Sequence, residues 1–172
     1  AIGKASGKII LMGEHSVVYG QPAIAMPFSA VEIIAKVTAQ GEALSVDCDF
    51  YKGLVHKMPK IWESLKHAIR FSLHRIGAPT DPAIHIKISS TIPAERGMGS
   101  SAAVAVAVAR ALFAHYEKIL TDKELWEIVQ SSEKIAHGNP SGIDAATTSG
   151  KSPVFFIKNQ PMEPLELKLS AY

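Results

Sequence analysis

The chain has 172 residues, of which 47% are hydrophobic and 20% charged, a composition typical of a globular domain with a buried core. Its 18 basic and 16 acidic residues leave a net charge of +2, and no basic block or interleaving of basic and aromatic residues points to nucleic acid. Cys48 is the only cysteine, which excludes an internal disulfide framework and fits a reducing cytoplasm. Neither a secretory leader nor a membrane span is expected, because Arg110 interrupts the apolar run 102–114 and a span needs ~20 residues.

The first apolar run, residues 9–12 (Ile-Ile-Leu-Met), lies between two glycines and predicts a short buried strand. Lys8 stands at its start, and Glu14 and His15 follow its end, where charged side chains can face a cleft. The other interpretation is a solvated lysine and a polar turn, and for Lys8 taken alone it is the preferred one.

A strand and a helix are predicted next. Residues 31–39 are rich in β-branched side chains and predict a strand, with 44–50 as its hairpin partner. Residues 59–76 predict an amphipathic helix, with Pro59 in its first turn and Gly77 at its end. The apolar positions of that helix recur at three- and four-residue steps, at Ile61, Leu65, Ala68, Ile69, Leu73 and Ile76.

The densest motif is residues 93–102, Pro-Ala-Glu-Arg-Gly-Met-Gly-Ser-Ser-Ala. It connects an alternating strand at 84–90 with a predicted helix at 101–118. The first N–H groups of a helix have no internal partner and carry the positive end of its dipole, so such a junction suits a phosphate. The residues predicted to form this phosphate-binding loop are Gly97, Met98, Gly99, Ser100 and Ser101. The alternative is an ordinary helix cap in which the glycines ease a turn.

A second helix is predicted from the capping box at 121–124 (Thr-Asp-Lys-Glu) to about Ala136. Its apolar face consists of Leu125, Ile128, Val129, Ser132 and Ala136. Glu133 lies on or beside that face, and an inward carboxylate needs a cation, a hydrogen-bond donor or a metal. The alternative is a boundary glutamate with a salt-bridge partner.

Residues 137–144 (His-Gly-Asn-Pro-Ser-Gly-Ile-Asp) break that helix. Asp144 opens another short segment, where it could be a plain N-cap. Residues 154–157 and 165–169 predict the last two strands.

Three stretches, residues 7–15, 93–102 and 137–144, together resemble the motifs of the GHMP small-molecule kinase superfamily. The central stretch is typical of the superfamily as a whole. The segments at 13–20 (Gly-Glu-His-Ser-Val-Val-Tyr-Gly) and 137–144 are similar to those of the members that phosphorylate mevalonate. The Asp-Tyr pair that typically follows Gly-Glu-His in galactokinases does not occur here.

The resemblance implies a role for each charged residue. Asp144 matches the base beside the acceptor hydroxyl, and Lys8 matches the lysine next to it, which could stabilise a developing alkoxide. Ser101 and Glu133 match the ligands of Mg²⁺, which prefers hard oxygen atoms. The glycine loop matches the segment that covers the phosphates of ATP.

Glu14 and His15 match residues of the mevalonate site, so that a small-molecule acceptor and ATP are the expected partners. The resemblance also implies the fold class, α+β, with a mixed β-sheet and helices packed on one side. We expect residues 1–172 to form the N-terminal, ATP-binding domain of such a kinase. The C-terminal domain of the family is expected to be absent from this chain.

Three alternatives to a mevalonate-phosphorylating enzyme stay open. The first is a GHMP-type kinase for another small hydroxylated acceptor, and the second is a non-catalytic ligand-binding relative. The third is a fragment that serves only in folding or interaction. The presence of Lys8, Glu133 and Asp144 together argues against a relative that has lost its catalytic activity. A homodimer is left open.

Overall fold

The computed structural model describes residues 1–91 and 99–165. The strands within these ranges are β1 Ile2–Met12, β2 Ala23–Thr38, β3 Ser45–Cys48, β4 Tyr51–Leu54, β5 His85–Ser90, β6 Val154–Phe156 and β7 Glu163–Pro164. The α-helices are α1 Glu63–Ile76, α2 Ser100–His115, α3 Asp122–His137 and α4 Ile143–Ser149. Short 3₁₀ helices occupy Ser16–Tyr19, Val55–Lys57 and Lys60–Trp62.

The long strand β2 organises the mixed sheet. Along one edge it pairs antiparallel with β1, and along the other its two halves pair antiparallel with β6 and β5. The sheet order is β4-β3-β5-β2-β6-β7, and β3 runs parallel to β5. The predicted strand at 84–90 is confirmed, with Ile86 and Ile88 buried and Lys87 exposed between them. The predicted hairpin between 31–39 and 44–50 is wrong, because β3 pairs with β4 and β5.

Helix α2 is the centre of the helical layer and packs directly on β1 and β2. Strand β1 passes so close that a Cβ added at Gly3 would lie 2.1 Å from the carbonyl oxygen of Ala107. Small side chains on α2 permit this approach, which explains a helix in which alanine and valine are buried on every side. Its other faces are covered by α1, α3 and α4.

The predicted helices α1 and α3 are confirmed, with one error on each apolar face. Ile61 is 80% exposed because the chain there forms a 3₁₀ turn and α1 begins at Glu63. Ala136 is exposed in the last turn of α3. Every other position predicted for the two faces is buried, and the capping box of Thr121 and Glu124 is formed.

A small second core fixes α4 against the sheet. It consists of Val17, Ala23, Ala25, Ile143, Ala146, Val154 and Phe156. The predicted buried strand at 9–12 extends back to Ile2 and is only partly buried, since Leu11 and Met12 are 50% and 66% exposed. Both lie at the end of β1, which pairs only with β2 among the described strands. Of the predicted last strand, 165–169, all but Leu165 lies outside the described residues.

The architecture is therefore α+β, a mixed sheet with helices packed on one side, as expected. Across residues 1–91 and 99–165, none of the helices combines the length and apolar character needed to cross a bilayer.

Candidate active site

The centre of the candidate site is an ion pair between two residues that are far apart in the sequence. Lys8 lies on β1 and Asp144 in the first turn of α4, and Lys8 Nζ is 2.8 Å from Asp144 Oδ1. The lysine is 5% exposed and the aspartate 32%. A buried ammonium group requires a counter-charge, which Asp144 supplies while it still faces solvent. Asp144 is not the N-cap of α4, because Gly142 occupies that position.

Both residues line a cavity of about 290 Å³, named the polar cavity here. Its charged lining also includes Glu14 and Glu133. Helices α3 and α4, strand β1 and the turn after β1 thus bring together four of the charged residues that the sequence singled out. His15 is exposed beside this group, at the N-cap of the 3₁₀ helix that follows β1, and is not part of the lining.

Glu133 is the most deeply buried carboxylate of this group, with 2% of its side chain exposed. Ser101 Oγ donates a hydrogen bond of 2.8 Å to Glu133 Oε1. Glu133 Oε2 lies 3.0 Å from Nε2 of His137, but the pair does not have hydrogen-bond geometry. Among the described residues, this buried oxygen therefore has no hydrogen-bond partner.

The electrostatics of Glu133 reflect this burial. Desolvation raises the pKa of its carboxyl group above the ordinary value of 4.5, and the charge of Asp144 adds to the effect. The hydrogen bond from Ser101 and the positive charges of His137 and Lys8 oppose it. A cation beside the unpaired oxygen would stabilise the charged form.

The donor set fits a hard divalent cation. A serine hydroxyl and a glutamate carboxylate are oxygen ligands that Mg²⁺ accepts, and Mg²⁺ commonly keeps substrate phosphates and water as its other ligands. In the described part of the chain, no three His, Cys, Asp or Glu side chains are grouped to hold a metal by themselves. Ser101 and Glu133 are the residues here that could contribute oxygen ligands to such an ion.

The N-terminus of α2 adjoins the lysine. Gly99 is the N-cap and has a φ of 68°, the left-handed region that favours glycine. A Cβ there would lie 2.8 Å from Cγ of Lys8 and 3.2 Å from Cγ2 of Thr148. Ser100 follows and is exposed, whereas Gly97 and Met98 lie outside the described residues.

A second, apolar cavity of about 550 Å³ has Ser100 and Ser101 in its lining, and apart from these two serines its residues were not identified from the sequence as a site. The rings of Phe50 and Trp62 stack there with centroids 5.4 Å apart. The apolar cavity is lined by segments from β2, β5, α1, α2 and the β3–β4 turn, among them Ile33, Ile88, Leu65, Val104, Ser100 and Ser101. Only the three-dimensional fold brings these segments together. Ser100 and Ser101 of the glycine-rich motif are the part of this lining that the sequence indicates.

Arg110 is a further residue whose role the sequence did not indicate. From the middle of α2 it donates hydrogen bonds of 2.7 Å to the carbonyl oxygens of Lys4 and Ser149. It thereby ties β1 to the C-terminal end of α4, the two elements that carry Lys8 and Asp144. Desolvation by the surrounding protein lowers the pKa of its guanidinium group, opposed by the charge of Asp122.

A helix N-terminus between a carboxylate-rich cavity and an apolar cavity suits a ligand that combines a phosphate with a less polar group. The family profile described as the GHMP kinases N terminal domain matches residues 62–151, and the chain belongs to this family.

Among its relatives, the mevalonate kinase of Pyrococcus horikoshii is 32% identical over 187 residues, covering 95% of this chain and 53% of that protein. The crystal structure of mevalonate kinase from a methicillin-resistant Staphylococcus aureus is similar with a TM-score of 0.69 and 38% identity, over 96% of this chain and 55% of that one. The structure of L. major mevalonate kinase in complex with R-mevalonate is similar with a TM-score of 0.74 and 25% identity, over 95% of this chain and 52% of that one. The chain spans about half the length of the curated relatives it matches.

Proposed function

We propose that the complete protein phosphorylates the primary hydroxyl group of mevalonate with ATP in the presence of Mg²⁺, a step of isoprenoid biosynthesis. The supporting observation is the hydrogen bond between Ser101 and Glu133 at the boundary of two cavities. Ser101 lines the apolar cavity, and Glu133 lines the polar cavity with Lys8 and Asp144. A phosphoryl group held at this boundary can pass from a nucleotide on one side to an acceptor on the other.

In this proposal Asp144 is the base. Its carboxylate accepts a hydrogen bond from the primary hydroxyl of mevalonate in the polar cavity and takes the proton as the oxygen attacks the γ-phosphorus of ATP. One O–P bond forms, and the bond between the γ-phosphorus and the oxygen of ADP breaks.

Lys8 has two roles in the proposed reaction. Its ammonium group holds Asp144 in position through the 2.8 Å contact, and it stabilises negative charge on the attacking oxygen. Because phosphoryl transfer depends mainly on positioning and on charge neutralisation, a fixed lysine at 5% exposure is well suited to it.

Ser101 and Glu133 are the residues that would hold Mg²⁺. The bound ion would neutralise charge on the phosphates of ATP. Glu133 offers the buried oxygen that has no hydrogen-bond partner among the described residues. Gly99 and Ser100 at the N-terminus of α2 would face the phosphates, and we assign Gly97 and Met98 to the same loop.

The apolar cavity would hold the nucleotide base. Phe50 and Trp62 offer aromatic surface, and Ser100 and Ser101 place the cavity next to the phosphate-binding helix end. Glu14, in the lining of the polar cavity, and His15, exposed beside it, are the proposed contacts to the polar groups of mevalonate.

The test is ADP release by the complete protein with Mg-ATP and mevalonate, with galactose and homoserine as parallel acceptors. Release with mevalonate alone supports the proposal. Release with another acceptor would assign a different GHMP-type kinase. ATP binding without release for any acceptor would favour a non-catalytic relative. The 172-residue chain assayed beside the complete protein shows whether these residues suffice.

A further inference from the structure

Gln130 presents a buried polar atom that the proposed chemistry does not use. It lies on α3, one turn before Glu133, and its side chain lines the polar cavity. The side-chain oxygen Oε1 is shielded from solvent, and no described residue donates a hydrogen bond to it. Buried polar atoms are almost always hydrogen-bonded, so an unpaired one beside a cavity indicates a partner that arrives with a ligand.

The amide of Gln130 faces the polar cavity. A Cβ added at Gly142 would lie 3.7 Å from Oε1 and 3.8 Å from Nε2 of Gln130. Gly142 lines the polar cavity and precedes the turn that carries Asp144. Gln130 also borders an open groove on the outer surface, but Gly142 is not part of the lining of that groove.

The chemistry of the partner follows from the neighbouring charges. Glu14, Glu133 and Asp144 already give this cavity three carboxylates. The uncharged amide therefore adds a site that can bind a neutral group. A hydroxyl both donates and accepts hydrogen bonds, so it suits an amide in either orientation, whereas a carboxylate only accepts.

We propose that Gln130 binds a non-reacting hydroxyl group of the acceptor substrate. For mevalonate, and resting on the function proposed above, this is the tertiary hydroxyl at C3. The rise of an α-helix puts Gln130 about 4.5 Å before Glu133 along the axis of α3. Ser101 Oγ contacts Glu133 and also lies 3.4 Å from Nε2 of His137, one turn further along α3, so Gln130 lies on the side away from Ser101. In the proposed function the reacting hydroxyl belongs at the Ser101 end.

The experiment compares two acceptors and two variants of the complete protein. The acceptors are mevalonate and 5-hydroxy-3-methylpentanoate, which lacks only the tertiary hydroxyl. Gln130→Met keeps an unbranched side chain of similar length and removes the amide, and Gln160→Met is the matched control at an exposed position. Thermal melting establishes that each variant is folded, and Gln130→Leu replaces Gln130→Met if the latter is not.

The wild-type protein and Gln160→Met are expected to prefer mevalonate over the deoxy acceptor by about tenfold in kcat/KM. In Gln130→Met the preference falls to about one through a loss for mevalonate only, with the KM for ATP unchanged. A Gln130 variant that keeps the wild-type preference, or a wild-type protein without one, overturns the proposal. A wild-type protein that does not use mevalonate at all contradicts the proposed function instead.

Discussion

Lys8 Nζ lies 2.8 Å from Asp144 Oδ1, and the two partners differ in exposure, 5% for the lysine and 32% for the aspartate. The lysine cannot rely on water and depends on this carboxylate. The aspartate faces the polar cavity and remains accessible to an acceptor. The same ion pair therefore stabilises the buried lysine and positions the carboxylate that faces the polar cavity.

Asp144→Asn is expected to lower kcat of the complete protein by about 10²- to 10⁴-fold, because the amide cannot take the proton of the acceptor. Affinity for Mg-ATP stays close to that of the wild type, since Asp144 lies in the polar cavity. The free energy of unfolding falls by up to about 3 kcal/mol, because Lys8 loses its counter-charge, and the loss stays below that of a fully buried pair because Asp144 is 32% exposed. Steady-state kinetics, nucleotide titration and urea unfolding measure the three effects.

The matched control for Asp144→Asn is Asp47→Asn. Asp47 pairs with Lys52 at 3.5 Å, but that lysine is 79% exposed. Loss of this surface pair costs about 0–1 kcal/mol and leaves turnover unchanged. Unchanged turnover in Asp144→Asn as well would remove Asp144 from the mechanism.

Gly99→Ala should damage the site through Lys8. The φ of 68° disfavours any side chain, and the new Cβ would also meet Lys8 Cγ at 2.8 Å. We expect a loss of about 2–3 kcal/mol in the free energy of unfolding and a fall of at least about tenfold in kcat, because the lysine must shift away from Asp144.

Gly77→Ala separates the effect of the left-handed backbone from the effect of the contact with Lys8. Gly77 ends α1 with a φ of 78°, and a Cβ there would have no neighbour within 4 Å among the described residues. It therefore carries the backbone cost alone, about 1–2 kcal/mol, with turnover unchanged. Equal effects of the two substitutions on stability and activity would contradict the proposed contact with Lys8.

The sequence predicts a structural feature well when the residues that determine it are close together in the chain. The capping box at Thr121 and the alternation of β5 are encoded within a few residues, and both are confirmed. Helical periodicity places Glu133 on or beside the apolar face of α3 and leaves a boundary position open, and its burial shows that it lies inward. The partners of β3 were predicted wrongly because strand pairing depends on segments far apart in the chain.

The apolar cavity could not be predicted for the same reason. Strand β4 and the 3₁₀ helix Val55–Lys57 lie between Phe50 and Trp62, which ends the next 3₁₀ helix, and neither ring belongs to a recognisable motif. The ion pair of Lys8 with Asp144 was expected only through the family resemblance, since Lys8 alone favoured a solvated lysine. Its burial results from α2 and α4 packing on β1.

Glu133→Gln should make the ligand-free protein more stable while it weakens nucleotide binding. Burial raises the pKa of this carboxyl group, so the folded state binds a proton more tightly than the unfolded state. Stability is then lost as the pH rises from the ordinary value of 4.5 through the raised pKa. The substitution removes this loss, so at pH 7 the free energy of unfolding of the ligand-free variant should be higher than that of the wild type.

The gain in stability for Glu133→Gln should disappear below about pH 4, where the glutamate is protonated in both states. Urea unfolding across pH 3.5–7.5 measures it, and titration with Mg-ATP should show an affinity at least about tenfold lower, as for a lost metal ligand. Reduced stability at pH 7 with equal losses of nucleotide and mevalonate binding would instead identify a purely structural glutamate.

Trp62 should report nucleotide binding. The chain has two tryptophans, Trp62 in the apolar cavity and Trp126 at 43% exposure on the outer side of α3. If the base of ATP stacks near Trp62, ATP quenches the fluorescence of the wild type and of Trp126→Phe but not that of Trp62→Phe.

Trp62→Ala should lower the affinity for ATP by about tenfold or more, because aromatic stacking of a base contributes ~1–3 kcal/mol. The KM for mevalonate should stay unchanged. Quenching that is lost in Trp126→Phe and kept in Trp62→Phe would place the base outside the apolar cavity.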